Sequence, residues 1–281
     1  MEFNNLKSYC ITGEKISYLE NLKLKVIVGG SHSKKDNFPR DWLFDNIDIN
    51  ISSKNKNFGS LTSIYWIWKN ELKKYEDNTW IGISHYRRFW LKENHNKIIS
   101  IDNLNKNLLY SIPDEDLMFD AFVAPSQNLT GYKIMKLLKK APKNIIRDPL
   151  ILFDKKKHNL NLHFDMFHLY RGLEKAASIM DDELKNEFLN YINTQTQLFS
   201  PYSIFILKKD KFNELCKSTF EWIYNCENIF DTNDLYGHGQ IRLFDYLAER
   251  YFSFWIKKNT NYKILPFVFF DPKRNNINII K

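Results

Sequence analysis

The sequence predicts a single α/β domain of 281 residues. Short apolar runs alternate with longer segments in which apolar residues recur every three or four positions, which is the pattern of strands separated by amphipathic helices. Hydrophobic residues make up 43% of the chain and aromatic residues 16%, enough to fill a sizeable core. We find no internal repeat and no low-complexity linker, so the simplest organisation is one continuous domain over 1–281 with a helical C-terminal part.

The first strand is predicted at Leu24–Val28 and ends in Gly29-Gly30-Ser31. Two glycines after a strand let the backbone approach a ligand closely, so this turn is a candidate nucleotide or phosphate loop, with an ordinary turn as the alternative. A helix follows, because five large apolar residues recur at spacings of three, four and seven. They are Leu61, Ile64, Tyr65, Trp68 and Leu72.

A second strand, Trp80–Ile83, leads into Ser84-His85-Tyr86-Arg87-Arg88. Loops at the carboxyl ends of strands in open α/β sheets commonly bind ligands. Two adjacent arginines there offer permanently charged, fork-shaped donors suited to phosphate oxygens, and a histidine can exchange a proton near neutral pH. The segment therefore predicts a site for a phosphorylated, nucleotide-linked substrate. In the structural alternative, one arginine pairs with a buried carboxylate and His85 fills a polar corner.

Further elements continue the alternation of strands and helices. They are a strand at Asp120–Ala124, a helix opening at Gly131, a helix around Leu173–Met180, a strand at Ser203–Leu207, and two helices with apolar faces at 212–223 and 241–255. On the last helix, the charged residues from Arg242 to Arg250 are predicted to lie mostly opposite the apolar face.

The chain is basic, with a net charge of +8 and a pI near 9.1. This favours an anionic partner such as nucleic acid, an acidic lipid surface or a nucleotide sugar. We expect no nucleic-acid partner, because the chain has no recognisable DNA- or RNA-binding motif and its positive charge is not gathered on one predicted element. The lysine runs Lys139-Lys140 and Lys155-Lys156-Lys157 are typical of solvated faces, and they could also contact anionic phospholipid.

Targeting and metal-binding signals are weak. No stretch approaches the roughly 18 apolar residues of a membrane span, and the N-terminus lacks a basic region followed by an apolar one, so we expect a cytoplasmic protein. Cys10, Cys216 and Cys226 lack a Cys-x-x-Cys spacing, so we expect reduced, structural thiols. The spacings of five between His158, His163 and His168 do not match the usual zinc ligand pairs.

Several blocks of the sequence resemble one known family. They are Asp45–Asn55, Leu61–Asn70, Ile81–Arg88, Tyr202–Lys209 and Arg242–Arg250. With these blocks the chain is similar to the bacterial capsular-polysaccharide and lipopolysaccharide glycosyltransferases grouped as domain of unknown function 4422, and Ile81–Arg88 matches the family signature closely. The chain departs from the family pattern at Pro201-Tyr202-Ser203, where an asparagine and a methionine usually precede the late strand.

The resemblance implies a fold similar to the GT-A glycosyltransferases, with a mixed, mostly parallel central sheet flanked by helices. It implies a nucleotide-sugar-binding part at about 1–130 and an acceptor-side, helical part at about 131–281. The implied donor is UDP-linked, and some relatives transfer galactofuranose. The implied acceptor is a glycan or lipid-linked glycan of a capsule or lipopolysaccharide, which would bring the protein to the inner face of the cytoplasmic membrane.

Many GT-A enzymes hold a divalent cation on an Asp-x-Asp loop at the end of an internal strand, whereas Ser84–Arg88 contains no carboxylate. We therefore expect Arg87 and Arg88 to take over some or all of the cation's role at the diphosphate. His85 would donate to the same oxygens or, as the alternative, bind a metal. We assign no metal ligands, and Mn²⁺ or Mg²⁺ stays open as a cofactor.

There are three candidates for a catalytic base. Asp165 and His168 precede the helix around Leu173, and Glu249 lies on the last helix. Asp245 and Glu249 could equally form ion pairs with nearby arginines. The predicted catalytic residues are His85, Arg87, Arg88, Asp165 and Glu249. The predicted donor-binding residues are Gly29, Gly30, Ser31, Asn55, Ser84, Tyr86, His238 and Arg242. The alternatives to an enzyme are a non-catalytic sugar- or nucleotide-binding partner in capsule assembly and a basic nucleic-acid-binding protein.

Overall fold

A central sheet draws its strands from the whole length of the chain. A computed structural model describes residues 5–34, 37–95, 98–198, 200–271 and 276–280. The strands are β1 (Leu6–Thr12), β2 (Lys25–Val28), β3 (Leu43–Phe44), β4 (Trp80–His85), β5 (Arg88–Trp90), β6 (Ala121–Val123), β7 (Gln127–Asn128), β8 (Gln197–Leu198), β9 (Phe205–Lys208), β10 (Tyr262–Ile264), β11 (Phe267–Asp271) and β12 (Asn276–Ile280).

Helices fill the connections between these strands. They are α1 (Asn55–Phe58), α2 (Leu61–Trp66), α3 (Ile101–Asn107), α4 (Ile134–Lys140), α5 (Pro142–Arg147), α6 (Leu160–Phe167), α7 (Gly172–Ala177), α8 (Asp182–Thr194), α9 (Lys209–Glu227), α10 (His238–Ile241) and α11 (Leu243–Asn259). A π-helical turn at Ile67–Glu71 continues α2 and completes the predicted tryptophan-rich helix. None of the helices in the described ranges has the length and apolar character needed to cross a lipid bilayer.

The strands of the central sheet lie in the order β10-β6-β9-β4-β1-β2-β3. β4, β1, β2 and β3 run parallel, β9 is antiparallel to both β4 and β6, and β10 is parallel to β6. The carboxyl ends of β1, β2 and β4 therefore meet at one edge. The amino end of β9 joins them, because Phe205 pairs with Ile83. This mixed, mostly parallel sheet flanked by helices confirms the predicted fold class.

An antiparallel extension grows from the end of β4. His85 pairs with Arg88 across the turn between β4 and β5, and β5 pairs with β11, which in turn pairs with β12. In this register Phe269 of β11 lies beside Arg88. The arginine segment is therefore a hairpin anchored by a strand from the C-terminal part of the chain.

The core has one layer on each face of the sheet. One face packs on α2, α9 and α11 through residues such as Ile81, Ile64 and Phe252, and the other face packs on α3 and its neighbouring loops. The helical tryptophans Trp66 and Trp222 are 2% and 5% exposed and belong to the core. Cys10, Cys216 and Cys226 are buried free thiols, and burial raises the pKa of the Cys10 thiol to about 12.

Two helices differ from the sequence prediction. The helix expected to open at Gly131 begins at Ile134, because Gly131 has a φ of 80° and its N–H donates to Nδ1 of His158. In α11, Arg250 is 2% exposed, contrary to its expected place opposite the apolar face. The buried guanidinium of Arg250 contacts His163 and His168 and pairs with Glu249.

Candidate active-site cleft

A cleft opens at the edge of the sheet where the strand ends meet. It consists of two adjoining cavities of about 600 and about 590 Å³. The first, here called the arginine pocket, is lined by Arg87, Arg88, Tyr202, Glu249, Arg250 and Phe269, among others. The second, here called the strand-end pocket, is lined by Ile11, Thr12, Gly29, Lys34 and Asn55, among others. Five residues line both cavities, namely Ser60, His85, Tyr86, His238 and Arg242.

The loop after β2 is held by a buried carboxylate. Asp45 accepts the backbone N–H of Gly30 at 2.8 Å and of Ser31 at 2.9 Å, and four nearby hydroxyl groups also donate to it. The N–H of Gly29 donates to the carbonyl of Thr12 at 2.8 Å. The backbone donors of Gly29, Gly30 and Ser31 are therefore used inside the protein, which does not support their predicted role as a phosphate loop. Gly29 still contributes to the wall of the strand-end pocket.

Asn55 connects this loop to α1. Gly30 has a φ of 64°, and a Cβ atom on it would lie 2.4 Å from Cγ of Asn55, so glycine is required where the two segments touch. The Asn55 amide donates to the carbonyl of Gly59 at 2.7 Å and to the hydroxyl of Thr62 at 2.9 Å. The fold thus brings the predicted residue Asn55 to the strand-end pocket in a fixed orientation.

Of the two residues at the end of β4, Ser84 has a structural role and His85 lines the cleft. Ser84 is buried and its hydroxyl donates to the carbonyl of Tyr9 at 2.9 Å, which corrects its predicted role in donor binding. His85 lines both cavities. Burial, followed by the nearby charges of Arg88 and Arg242, lowers the pKa of His85 to about 3. Its imidazole is therefore neutral at pH 7, with one donor and one acceptor nitrogen.

The guanidinium of Arg88 is largely removed from water and lies near two aromatic rings. Its guanidinium carbon lies 3.7 Å from the ring centre of Tyr202 and 5.2 Å from that of Phe269. Burial is the main cause that lowers the pKa of Arg88. The Nε atom of Arg88 has no hydrogen-bond partner among the described residues. Arg88 also forms no ion pair within the described part of the chain, whereas Arg242 and Arg250 do. An anion that entered the cleft would stabilise this charge.

Arg87 is more accessible and lies against its neighbour. Its guanidinium carbon is 4.8 Å from the ring centre of Tyr86, and its Nη2 donates to the Tyr86 hydroxyl. This hydrogen bond is the main cause that raises the pKa of Arg87. Tyr86 and Arg87 thus present a combined hydroxyl and guanidinium surface to the arginine pocket.

The loop before β9 is strained where it enters the cleft. Ser200, Tyr202 and Ser203 have φ values of 46°, 67° and 54°, in the left-handed region that side chains disfavour. The N–H of Tyr202 donates to Oε1 of Glu249 at 2.6 Å, which fixes the loop to α11. In this conformation the Tyr202 ring lies against the Arg88 guanidinium. The sequence signal for this residue is the departure from the family pattern at 201–203.

A buried network joins α6 to α11. Nη2 of Arg250 lies 3.1 Å from Nδ1 of His163 and 3.2 Å from Nε2 of His168, and its Nη1 pairs with Glu249. Burial first, and the Arg250 charge second, lower the pKa of His163 to about 2 and of His168 to about 3. Nδ1 of His168 lies 2.8 Å from the carbonyl of Gly239, which assigns the proton to Nδ1 and leaves Nε2 as the acceptor from Arg250.

A second ion pair lies at the border of the two cavities. Arg242 donates to Oδ2 of Asp245, and the Ser60 hydroxyl donates to Oδ1 at 2.7 Å. This confirms that Asp245 forms an ion pair with a nearby arginine, Arg242, three residues earlier in the chain. Gly59 has a φ of 50°, which disfavours any side chain, and a Cβ atom on it would lie 2.4 Å from Nη2 of Arg242, so a larger residue would strain the backbone and displace the guanidinium. His238, a predicted donor-binding residue, is exposed and lines both cavities.

Asp165 does not reach the cleft. Its carboxylate accepts the Asn144 amide at 2.6 Å and the backbone N–H of Arg171 at 2.7 Å, and it is absent from the lining of both cavities. Burial raises the pKa of Asp165 to about 6. The geometry does not support the prediction of Asp165 as a catalytic base, because helix α6 directs its neighbours His163 and Phe167 to the cleft instead.

No group of three or more histidine, cysteine or acidic side chains suited to a metal ion occurs in the described part of the chain. An Asp-x-Asp tripeptide is present as Asp114-Glu115-Asp116, but its Glu115 and Asp116 line a separate cavity of about 580 Å³. There Asp116 pairs with Lys263 at 2.8 Å. This tripeptide is therefore not the counterpart of a cation-binding loop in the cleft.

Comparisons with known proteins bear on the family and the fold of the chain. Residues 9–260 match the family described as Domain of unknown function (DUF4422), and the chain belongs to this family. The fold is similar to that of WbbM, a bifunctional glycosyltransferase solved in its apo state, with a TM-score of 0.68 at 19% sequence identity. The similarity covers 94% of this chain and 45% of the WbbM chain, so this chain spans less than half of that protein. No curated protein matches the sequence.

Proposed function

We propose that the protein is a glycosyltransferase that takes its sugar from a nucleoside-diphosphate donor. One observation carries the proposal. In a chain with a glycosyltransferase-like fold, the hairpin after β4 brings two arginines to the cleft, and one of them, Arg88, is desolvated with an unused donor. Four arginines and two carboxylates line the arginine pocket, which leaves an excess of positive charge for an anionic ligand.

The proposed reaction exchanges two bonds at the anomeric carbon of the sugar. The bond to the diphosphate oxygen breaks with its electron pair left on the diphosphate, and a bond to an acceptor hydroxyl oxygen forms. The hydroxyl proton passes to the departing diphosphate or to water, because both cleft carboxylates are paired. Negative charge grows on the departing diphosphate, so cations fixed beside it lower the barrier. Arg87 and Arg88 supply this charge. The neutral imidazole of His85 lies beside them and forms a hydrogen bond with the Tyr202 backbone, so we assign it a positioning role at the hairpin. The strand-end pocket receives the nucleoside, and the arginine pocket receives the diphosphate and the sugar.

A divalent cation does not fit the carboxylates of the cleft. Asp245 is bound by Ser60 and Arg242, and Glu249 is bound by Arg250 and the Tyr202 backbone. A Mn²⁺ or Mg²⁺ ion would have to displace these partners, so no step of the proposed reaction uses one. This is why the arginines are assigned the charge-neutralising role.

The donor and acceptor are proposed from the family resemblance. We propose a UDP-linked donor with galactofuranose as the first sugar to test, and a capsular or lipopolysaccharide glycan as acceptor. The wall of the strand-end pocket combines backbone and amide groups, Gly29 and Asn55 among them, which suits a nucleoside. None of these residues distinguishes one sugar from another.

Thermal unfolding with a panel of nucleotides tests the proposal. UDP, GDP, ADP and CMP are each added in EDTA and in MnCl₂. A ligand at ~100 times its Kd adds about 2.7 kcal/mol, which raises the unfolding midpoint by several degrees. A shift with a nucleoside diphosphate that persists in EDTA is expected. Absence of a shift with every nucleotide would overturn the proposal, and a shift that needs Mn²⁺ would overturn the role given to the arginines.

A second candidate function is a non-catalytic nucleotide-sugar-binding protein. The observation that favours it is the pairing of both cleft carboxylates, because neither Asp245 nor Glu249 is free to accept a proton. Release of UDP from UDP-sugars separates the two candidates. Nucleotide binding with no UDP release across a panel of glycan acceptors would favour the binding protein.

A further inference from the structure

One segment of the surface combines positive charge with exposed apolar side chains. Residues 133–157 contain nine lysines and arginines and two aspartates, an excess of seven positive charges in a chain whose net charge is +8. This excess is spread over four consecutive short elements, so no single predicted element carries it, as expected from the sequence. These are α4, α5 and the turns around Pro149–Leu152 and Lys155–Lys157.

The same segment exposes large apolar side chains. They are Ile134 (50% exposed), Met135 (75%), Leu138 (47%), Ile146 (83%), Leu150 (58%) and Phe153 (76%). At 100° per residue, the three on α4 fall within an arc of about 100°. Lys139 borders this arc beside Met135, and Lys136 and Lys140 fall on the opposite side. Clustered exposed apolar residues rimmed by charge mark an interaction surface rather than chance exposure.

The lysines of this surface have few competing partners. Among the described residues, carboxylates pair only with Arg147 and Lys157 within 133–157. Asp148 is occupied by Lys157, and Asp154 accepts the backbone N–H of Lys156. The remaining lysines are therefore available to an external anion. A small core of Leu137, Ala141, Ile151, Leu162 and Met166 fixes the surface to α6.

We propose that residues 133–157 form a docking surface for an anionic lipid membrane, with the apolar side chains inserted at the level of the headgroups and the lysines contacting lipid phosphates. Aliphatic side chains gain free energy in the interfacial region of a bilayer, and lysines beside them extend to the headgroups. A nucleic acid fits less well, because isoleucine, leucine and methionine offer no ring on which bases stack.

The surface borders the cleft. Nζ of Lys136 lies 4.9 Å from the ring centre of Phe167, which lines the arginine pocket. A lipid-linked acceptor held in the bilayer would therefore present its glycan next to the cleft. This consequence rests on the proposed function, whereas membrane docking itself does not.

Flotation of the protein with vesicles tests the docking surface without nucleotide. Vesicles of phosphatidylglycerol and phosphatidylethanolamine are compared with vesicles of phosphatidylcholine alone. Lys139→Glu with Lys140→Glu is matched to Lys15→Glu with Lys217→Glu, two exposed lysines elsewhere. Each lysine near an anionic surface contributes roughly fivefold in affinity, so the first pair is expected to lower binding by at least about 25-fold and the matched pair by much less.

A second pair of variants tests insertion. Met135→Gln with Phe153→Gln is matched to Met118→Gln with Ile98→Gln, which are 71% and 82% exposed. Only the first pair is expected to reduce vesicle binding. The proposal fails if the protein does not float with anionic vesicles, if matched variants lose binding equally, or if binding to an unstructured RNA replaces binding to vesicles. Failure of the nucleotide panel would leave these results unchanged, so the two proposals are tested separately.

Discussion

Replacement of Arg88 by methionine separates binding from folding at the cleft. Methionine keeps an unbranched side chain between the rings of Tyr202 and Phe269, and it removes a charge that has no carboxylate partner in the described residues. We expect Arg88→Met to leave the unfolding midpoint unchanged or higher in the absence of nucleotide, because desolvation of the guanidinium no longer opposes folding.

The loss should appear in nucleotide affinity. A charge-assisted hydrogen bond to the diphosphate contributes about 1.5–3 kcal/mol, so the Kd for UDP is expected to rise roughly 10- to 150-fold. Isothermal titration calorimetry measures the Kd, and differential scanning calorimetry measures the unfolding midpoint. The same protein preparation serves both measurements.

Arg250→Met is the matched control. It removes a buried guanidinium that pairs with Glu249, whose side chain is 13% exposed and keeps the Tyr202 N–H as a partner. Removal of one member of a fully buried ion pair typically costs about 3–5 kcal/mol, and we expect the lower part of this range here. We expect this variant to unfold at least several degrees earlier than the wild type. The reasoning about Arg88 is refuted if Arg88→Met is destabilised as much as Arg250→Met while its affinity for UDP equals that of the wild type.

Three further predictions follow from the contacts around the cleft. In Gly59→Ala the new Cβ meets Arg242, so we expect calorimetry to show a loss of stability of about 1–3 kcal/mol. The control is Gly237→Ala, whose new Cβ has no heavy atom within 4 Å and which should lose less stability. Equal losses would contradict the packing described at Gly59. The carboxylate of Glu249 holds the Tyr202 backbone, so Glu249→Ala and Tyr202→Ala should each weaken UDP binding. The double variant should then bind UDP only slightly more weakly than either single variant. Additive losses of affinity would show that Glu249 contacts the donor independently. Because the folded pKa of Asp165 is raised from 3.8 to about 6, its contribution to stability is present below about pH 4 and is lost as the pH rises through 6. Urea unfolding should show the wild type losing stability relative to Asp165→Asn over this range, and a difference that does not change with pH would count against the shift.

Local patterns in the sequence determine the elements and the chemistry of the central hairpin. The apolar runs at Trp80–Ile83 and Ser203–Leu207 predict buried strands, and the strands occur at Trp80–His85 and Phe205–Lys208. The arginines after the first run predict an anion site at a strand end, and the structure places both at the cleft. These features depend on neighbours in the chain, so a single sequence is sufficient to predict them.

Tertiary structure decides which side chains surround the arginines. Phe269 reaches Arg88 because β11 pairs with β5, and Tyr202 reaches it because β9 runs antiparallel to β4. Likewise, the backbone donors after β2 turn inward because Asp45 is buried beneath them. Strand pairing brings together residues far apart in the chain, and burial decides whether a polar group binds the protein or a ligand, so neither property can be read from local spacing.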